Sequence, residues 1–192
     1  MSDSKRSFFP HFRRTLLLVS VLIVALVVAT FAYLTSLPPR IGPRASIISD
    51  PLEFSVAMDK TDFQQGENTT LRVSIRNTSN KTITLRWGSF SLEWDQTIVL
   101  DFYVVDANGT VVYQWFHEHG AFMSSKTKIL NPSEQWTNFF YWHQKYNYPQ
   151  DDVLVPKGTY SVFGHTRKMG LTIDNQTRLI ELETPSLTFT IQ

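Results

Sequence analysis

The chain has no cysteine among its 192 residues. A disulfide framework, a thiolate metal site and a thiol nucleophile are all excluded by that absence. An exported domain of this kind would have to stand on its hydrophobic core alone. Small secreted modules of eukaryotes are usually stapled by disulfides, so a prokaryotic cell surface suits the composition better. Charge is also scarce, at 18% of residues. Of the 18 Lys and Arg, six (Lys5, Arg6, Arg13, Arg14, Arg40 and Arg44) precede Ala45, against the single acid Asp3 of 17, which leaves 12 basic and 16 acidic residues beyond it. A mildly acidic domain lacks the basic surface that phosphate contacts require, which argues against nucleic acid as a partner. Gly-x-Ser-x-Gly, His-Glu-x-x-His and a phosphate-binding glycine loop are absent, and no serine stands in a nucleophile setting. The expectation is a non-enzyme with no cofactor.

What is present begins with one long apolar run. Residues 15–34 read TLLLVSVLIVALVVATFAYL, with no charge, Gly or Pro. At a rise of about 1.5 Å per residue, such a helix spans roughly 30 Å, the thickness of a bilayer core. Basic residues crowd its N-terminal side, which predicts a cytoplasmic N-terminus and a single span with the remainder outside. A cleavable signal peptide is the competing reading, with small residues at Thr30 and Ala32, but the run exceeds the usual ~7–15 residues of a signal core. A type IV pilin leader would need a small residue between the basic stretch and the apolar run, and Arg14-Thr15 supplies none. The organisation read from the sequence is a cytoplasmic basic segment 1–14, a membrane helix (signal anchor) 15–34, a proline-rich linker 35–51 holding Pro38, Pro39 and Pro43, and a β domain 52–192.

From Leu52 onward the period changes to two. Leu71, Val73 and Ile75 alternate with polar residues, as do Ile83, Leu85 and Trp87, then Ile180 and Leu182, then Leu187, Phe189 and Ile191. Alternation marks strands with one buried and one wet face. Ile98–Asp106 and Thr110–Phe116 are apolar on both faces and read as central strands, joined by a hairpin at Asn108-Gly109. Pro156-Lys157-Gly158 reads as a turn feeding the strand Thr159–His165. Tyr160 is expected at a sandwich corner, its ring inward and its hydroxyl bonded to backbone upstream. Many short strands at this spacing predict an all-β, immunoglobulin-like antiparallel sandwich after the membrane helix.

The runs Leu71–Asn77, Thr82–Trp87, Phe102–Asp106 and Val111–Trp115, followed in order by Leu130–Glu134, Trp142 and Pro156–Val162 with Gly164, resemble the BsuPI-like intracellular proteinase inhibitor family over about residues 53–191. The resemblance implies an antiparallel sandwich and a serine protease as partner, and it assigns no inhibitory residue. The family's name refers to cytosolic proteins, whereas this domain reads as exported, and Gly88–Thr97 is longer than the corresponding connection.

Three constellations remain. His117-Glu118-His119 would place two imidazoles on one face of a strand, with His143 or His165 as third ligand, but it reads more simply as a polar loop, so no metal is expected. The aromatic stretches Tyr113–Phe116 and Trp136–Trp142 fit either a core or a platform for a protein or sugar. Five of the eight asparagines stand in Asn-x-Ser/Thr sequons: Asn68, Asn77, Asn80, Asn108 and Asn175. With Ser and Thr making up roughly a fifth of the chain, chance would give one or two, so N-glycosylation of an exposed, archaeal-type surface glycoprotein is the expectation. The functional reading is a membrane-anchored extracytoplasmic protein-binding domain, a proteinase inhibitor by resemblance. The alternative is a structural or adhesive module that binds a surface-layer (coat) protein or a glycan.

Overall fold

The computed structural model describes residues 23–26, 42–90, 99–115, 123–147 and 152–192. The chain divides into two compact units, Met1–Arg40 and Ile41–Gln192. In the first, residues 23–26 are helical and exposed. The rest of the expected span 15–34 lies outside the described residues, among which no helix is long and apolar enough to cross a membrane.

The second unit is all-β. Among the described residues thirteen strands follow one another: β1 (Arg44–Ser49), β2 (Leu52–Met58), β3 (Asp62–Phe63), β4 (Thr69–Asn77), β5 (Ile83–Phe90), β6 (Leu100–Asp106), β7 (Val111–Gln114), β8 (Met123–Leu130), β9 (Gln135–Trp142), β10 (Gly158–Thr166), β11 (Met169–Ile173), β12 (Gln176–Ile180) and β13 (Leu187–Ile191). They form three sheets, ordered β1-β2-β4-β9, β3-β13-β10-β6-β7 and β12-β11-β5-β8. Every pairing is antiparallel except the short parallel contact of β13 with β3.

The period-two pattern explains the packing. Phe54, Val56, Leu71, Val73 and Ile75 from the first sheet, Phe102, Val104, Val162 and Phe189 from the second, and Ile83, Leu85 and Leu171 from the third are buried in one cluster. At about 25 cal/mol per Å² of apolar surface, such burial is the main force holding a cysteine-free fold. Trp87 of β5 stacks on Trp136 of β9, with centroids 5.3 Å apart, and ties the third sheet to the first. Tyr160 is buried, and its hydroxyl donates to the Pro156 carbonyl at 2.6 Å, the corner bond expected for it. The Asn108-Gly109 hairpin is also present: Gly109 has φ 82°, which a residue without Cβ adopts freely, and the Asp106 carboxylate accepts from the Asn108 and Thr110 amides.

Three expectations are corrected. The folded domain begins before residue 52: residues 44–49, read as linker, form β1 and pair with β2 along their whole length. Nothing after Pro43 breaks a strand there, and a turn at Asp50-Pro51 returns the chain. The run through Ile180 and Leu182 is not one strand. β12 ends at Ile180, and the chain then crosses from the third sheet to the second, held by the Thr166 amide on the Leu182 carbonyl and the Thr184 amide on the Gly164 carbonyl. Finally, β6 is interior to its sheet but β7 is an edge, with Val111 exposed.

Candidate binding surface

The first sheet has a buried face and an outer face, and strand register assigns each residue. Opposite β4 residues, β9 places Gln135, Thr137, Phe139 and Tyr141 outward beside Arg76, Ser74, Arg72 and Thr70. Trp136, Phe140 and Trp142 turn inward, where Phe140 and Trp142 are almost wholly buried. Phe139 and Tyr141 are 60% and 61% exposed, whereas the other β-strand aromatics whose burial is described are buried or half-buried. Arg72 lies directly across from Phe139. Its neighbours Arg44 and Arg76 both pair with Glu53, at 2.7 and 2.9 Å, and no described acid pairs with Arg72. Beyond Tyr141 the face continues to His143, whose Nδ1 lies 2.6 Å from Asn68 Oδ1. Two exposed rings and a guanidinium without a described acidic partner on one face of a sheet are the composition of a contact hot spot.

A second group occupies the outer face of the second sheet. Tyr103 stacks on its cross-strand partner Phe163, with centroids 4.9 Å apart and planes 8° from parallel. His165 sits between Glu181 and Glu183, each 3.8 Å from one ring nitrogen. Burial, and then a hydrogen bond to Glu183, push the Tyr103 hydroxyl up to about 12. Asp101, across from His165, is fully buried. Burial raises its pKa, opposed by the Phe102 amide at 2.7 Å, the Gln114 side chain at 3.3 Å and the charges of His165 and Arg167. The arrangement pins the Ile180–Leu187 crossing to β10, which is a structural task.

The sequence-derived candidates separate clearly. His117, Glu118 and His119 lie outside the described residues, and His143 follows β9 of the first sheet whereas His165 is in β10 of the second. Among the described residues no group of three or more His, Cys, Asp or Glu is set to hold a metal. Asn68, Asn80, Asn108 and Asn175 are exposed. Asn77 is a correction: it is 0% exposed, and its Nδ2 donates to the carbonyls of Lys81, Leu130 and Asn131 at 2.7, 3.1 and 3.1 Å. The nitrogen that would carry a glycan is the one that ties three backbone segments together, so the folded domain cannot accept one there. A glycan on Asn68 would border the aromatic face at its Tyr141 end. Sequence reasoning did not single out Arg72, Asp101 or Glu183, because each acquires its neighbours only through strand pairing.

No protein-family model matches the sequence, and no curated protein matches it. Among solved structures the chain is similar to a β-glucosidase from Listeria innocua in complex with glucose, at 13% identity over 76% of this chain and 16% of that one, with a TM-score of 0.38. It is similar also to the CARDB domain of a Pyrococcus furiosus protein in complex with di-metal ions, at 13% identity over 71% and 84%, TM-score 0.36, and to the C-terminal domain of wzt, at 8% identity over 81% and 82%, TM-score 0.38. The chain thus spans only 16% of the glucosidase's length. Likenesses this distant carry no argument about function.

Proposed function

We propose that the chain is a single-pass membrane protein with a cytoplasmic N-terminus that presents an immunoglobulin-like β-sandwich outside the cell as a non-catalytic protein-binding domain. The partner docks on the outer face of the first sheet. The observation that carries this reading is the exposure of Phe139 and Tyr141 beside Arg72, which no described acid pairs, on a strand whose neighbouring aromatics Phe140 and Trp142 are buried. Exposed aromatics and arginine give large contact area at low ordering cost and are the residues on which binding energy concentrates. The uninterrupted apolar run at 15–34 and the basic residues before it support the tether and the orientation.

The order of motifs that resembles the BsuPI-like inhibitors makes a serine protease one partner class. A surface-layer protein is the other, and the place of both exposed rings within strand β9 favours it, because an inhibitor must offer a narrow exposed loop that a protease reads as substrate. Two measurements test the proposal. Protease added to intact cells should digest the domain, and full protection would overturn the topology. The purified chain assayed against a panel of serine proteases should leave them active if the partner is a surface-layer protein, and inhibition at nanomolar levels would replace that partner with a protease.

A further inference from the structure

At the end of the sandwich opposite Gly42, three connections converge. They are the Asp50-Pro51 turn between β1 and β2, the Ser79–Lys81 turn between β4 and β5, and the β11–β12 hairpin. They enclose a cleft of about 470 Å³, within the range of roughly 300–1,000 Å³ typical of small-ligand sites. Its walls are fixed before any ligand arrives. The Thr78 amide and hydroxyl both donate to the Pro51 carbonyl at 2.8 Å, Arg178 donates to the Asp50 carbonyl, and the Asn77 amide holds Lys81 in place through its carbonyl. Such preorganisation lowers the ordering cost of binding.

The lining is rich in donors. Lys81 and Arg178 supply two cations against one carboxylate in the lining, Asp50, and Asn80 and Gln176 add amides beside the half-buried Ile173. Lys81 also pairs with Asp174 at the rim, where both are exposed and water-screened, so its charge remains available at little cost. The cleft contains no helix N-terminus to receive a bare phosphate. We propose that it binds an acidic sugar of the hexuronate type, the carboxylate taken by Lys81 and Arg178, the hydroxyls by the amides, and the apolar face of the ring by Ile173. This site is separate from the Phe139–Tyr141 face, so either reading can fail alone.

The test uses the full chain in detergent micelles, produced in a host without N-glycosylation so that Asn80 at the lip is unmodified. D-glucuronate, D-glucose and inorganic phosphate are titrated in turn and followed by calorimetry. Saturable binding of glucuronate is expected, weaker by about tenfold or more for glucose. Lys81→Met and Arg178→Met should each weaken glucuronate binding by about tenfold, with unchanged circular dichroism. No saturable glucuronate binding, phosphate binding as tight as glucuronate, or full affinity in both variants would each overturn the proposal.

Discussion

Replacing Asn77 by alanine tests the packing logic of the domain and the glycosylation correction together. The substitution removes three hydrogen bonds from Nδ2 and leaves the carbonyls of Lys81, Leu130 and Asn131 without that donor. It also removes the acceptor of the Ser79 amide and hydroxyl, at 2.9 and 2.8 Å. A buried polar group left unmade costs about 1–3 kcal/mol, and such losses at one site are not additive, so a total of roughly 3–5 kcal/mol is expected. That is a large part of the ~5–15 kcal/mol that holds a typical domain together. Asn77→Asp keeps the shape but turns a carboxylate oxygen toward three carbonyl oxygens, so it should destabilise at neutral pH and recover partly on acidification. Denaturant unfolding reads the effect as a lower midpoint with an unchanged slope. Mass spectrometry of protein isolated from its source cells should find Asn77 unmodified even where Asn80, Asn108 or Asn175 carries glycan. Wild-type stability in Asn77→Ala, or a glycan on Asn77 of the folded protein, would refute the reasoning.

Other expectations follow from single contacts. Tyr160→Phe loses the bond to Pro156 and should cost about 1 kcal/mol, whereas Tyr160→Ala leaves a cavity among Trp142 and Phe189 and should cost about 3–5 kcal/mol in the same melts. Asp101 has a raised pKa in the fold, so its contribution to stability is full below the unfolded carboxyl value and is lost as pH rises through the folded one. Asp101→Asn cannot ionise. Its stability relative to wild type should therefore improve from pH 4 to pH 7, by about 1.4 kcal/mol per unit of the raise, and a pH-independent difference would contradict the account. Phe139→Ser and Tyr141→Ser remove exposed rings only and should shift stability by no more than about 0.5 kcal/mol.

Much of the fold was legible where one face of a strand is wet. Ile83, Leu85 and Trp87 alternate cleanly because β5 has a solvated side, and the Asn108-Gly109 pair announced its hairpin. β1 was not legible: it is an edge strand with most residues exposed, so no inward phase marks Arg44–Ser49 and the preceding prolines dominate the reading. The β11–β12 hairpin was hidden because its turn uses Asp174 and Asn175, at φ 50° and 64°, where no glycine signals it. The candidate surface was half legible. Trp136–Trp142 is aromatic at five of seven positions, on both phases of the strand, so the sequence cannot say which rings face out. Only the pairing with β4 separates Phe139 and Tyr141 from Phe140 and Trp142. Gln114 and His165 around Asp101, and Leu130 and Asn131 around Asn77, come from segments far apart in sequence and could not be read along it.

The central claim is that the Phe139–Tyr141–Arg72 face holds a protein partner outside the cell. Its most direct test is capture from surface-layer extract by the wild-type chain and by a Phe139→Ser/Tyr141→Ser double variant, compared side by side at equal folded fraction. The account predicts that one protein is retained saturably by the wild type and lost by about tenfold or more in the variant. Equal retention by both would contradict it.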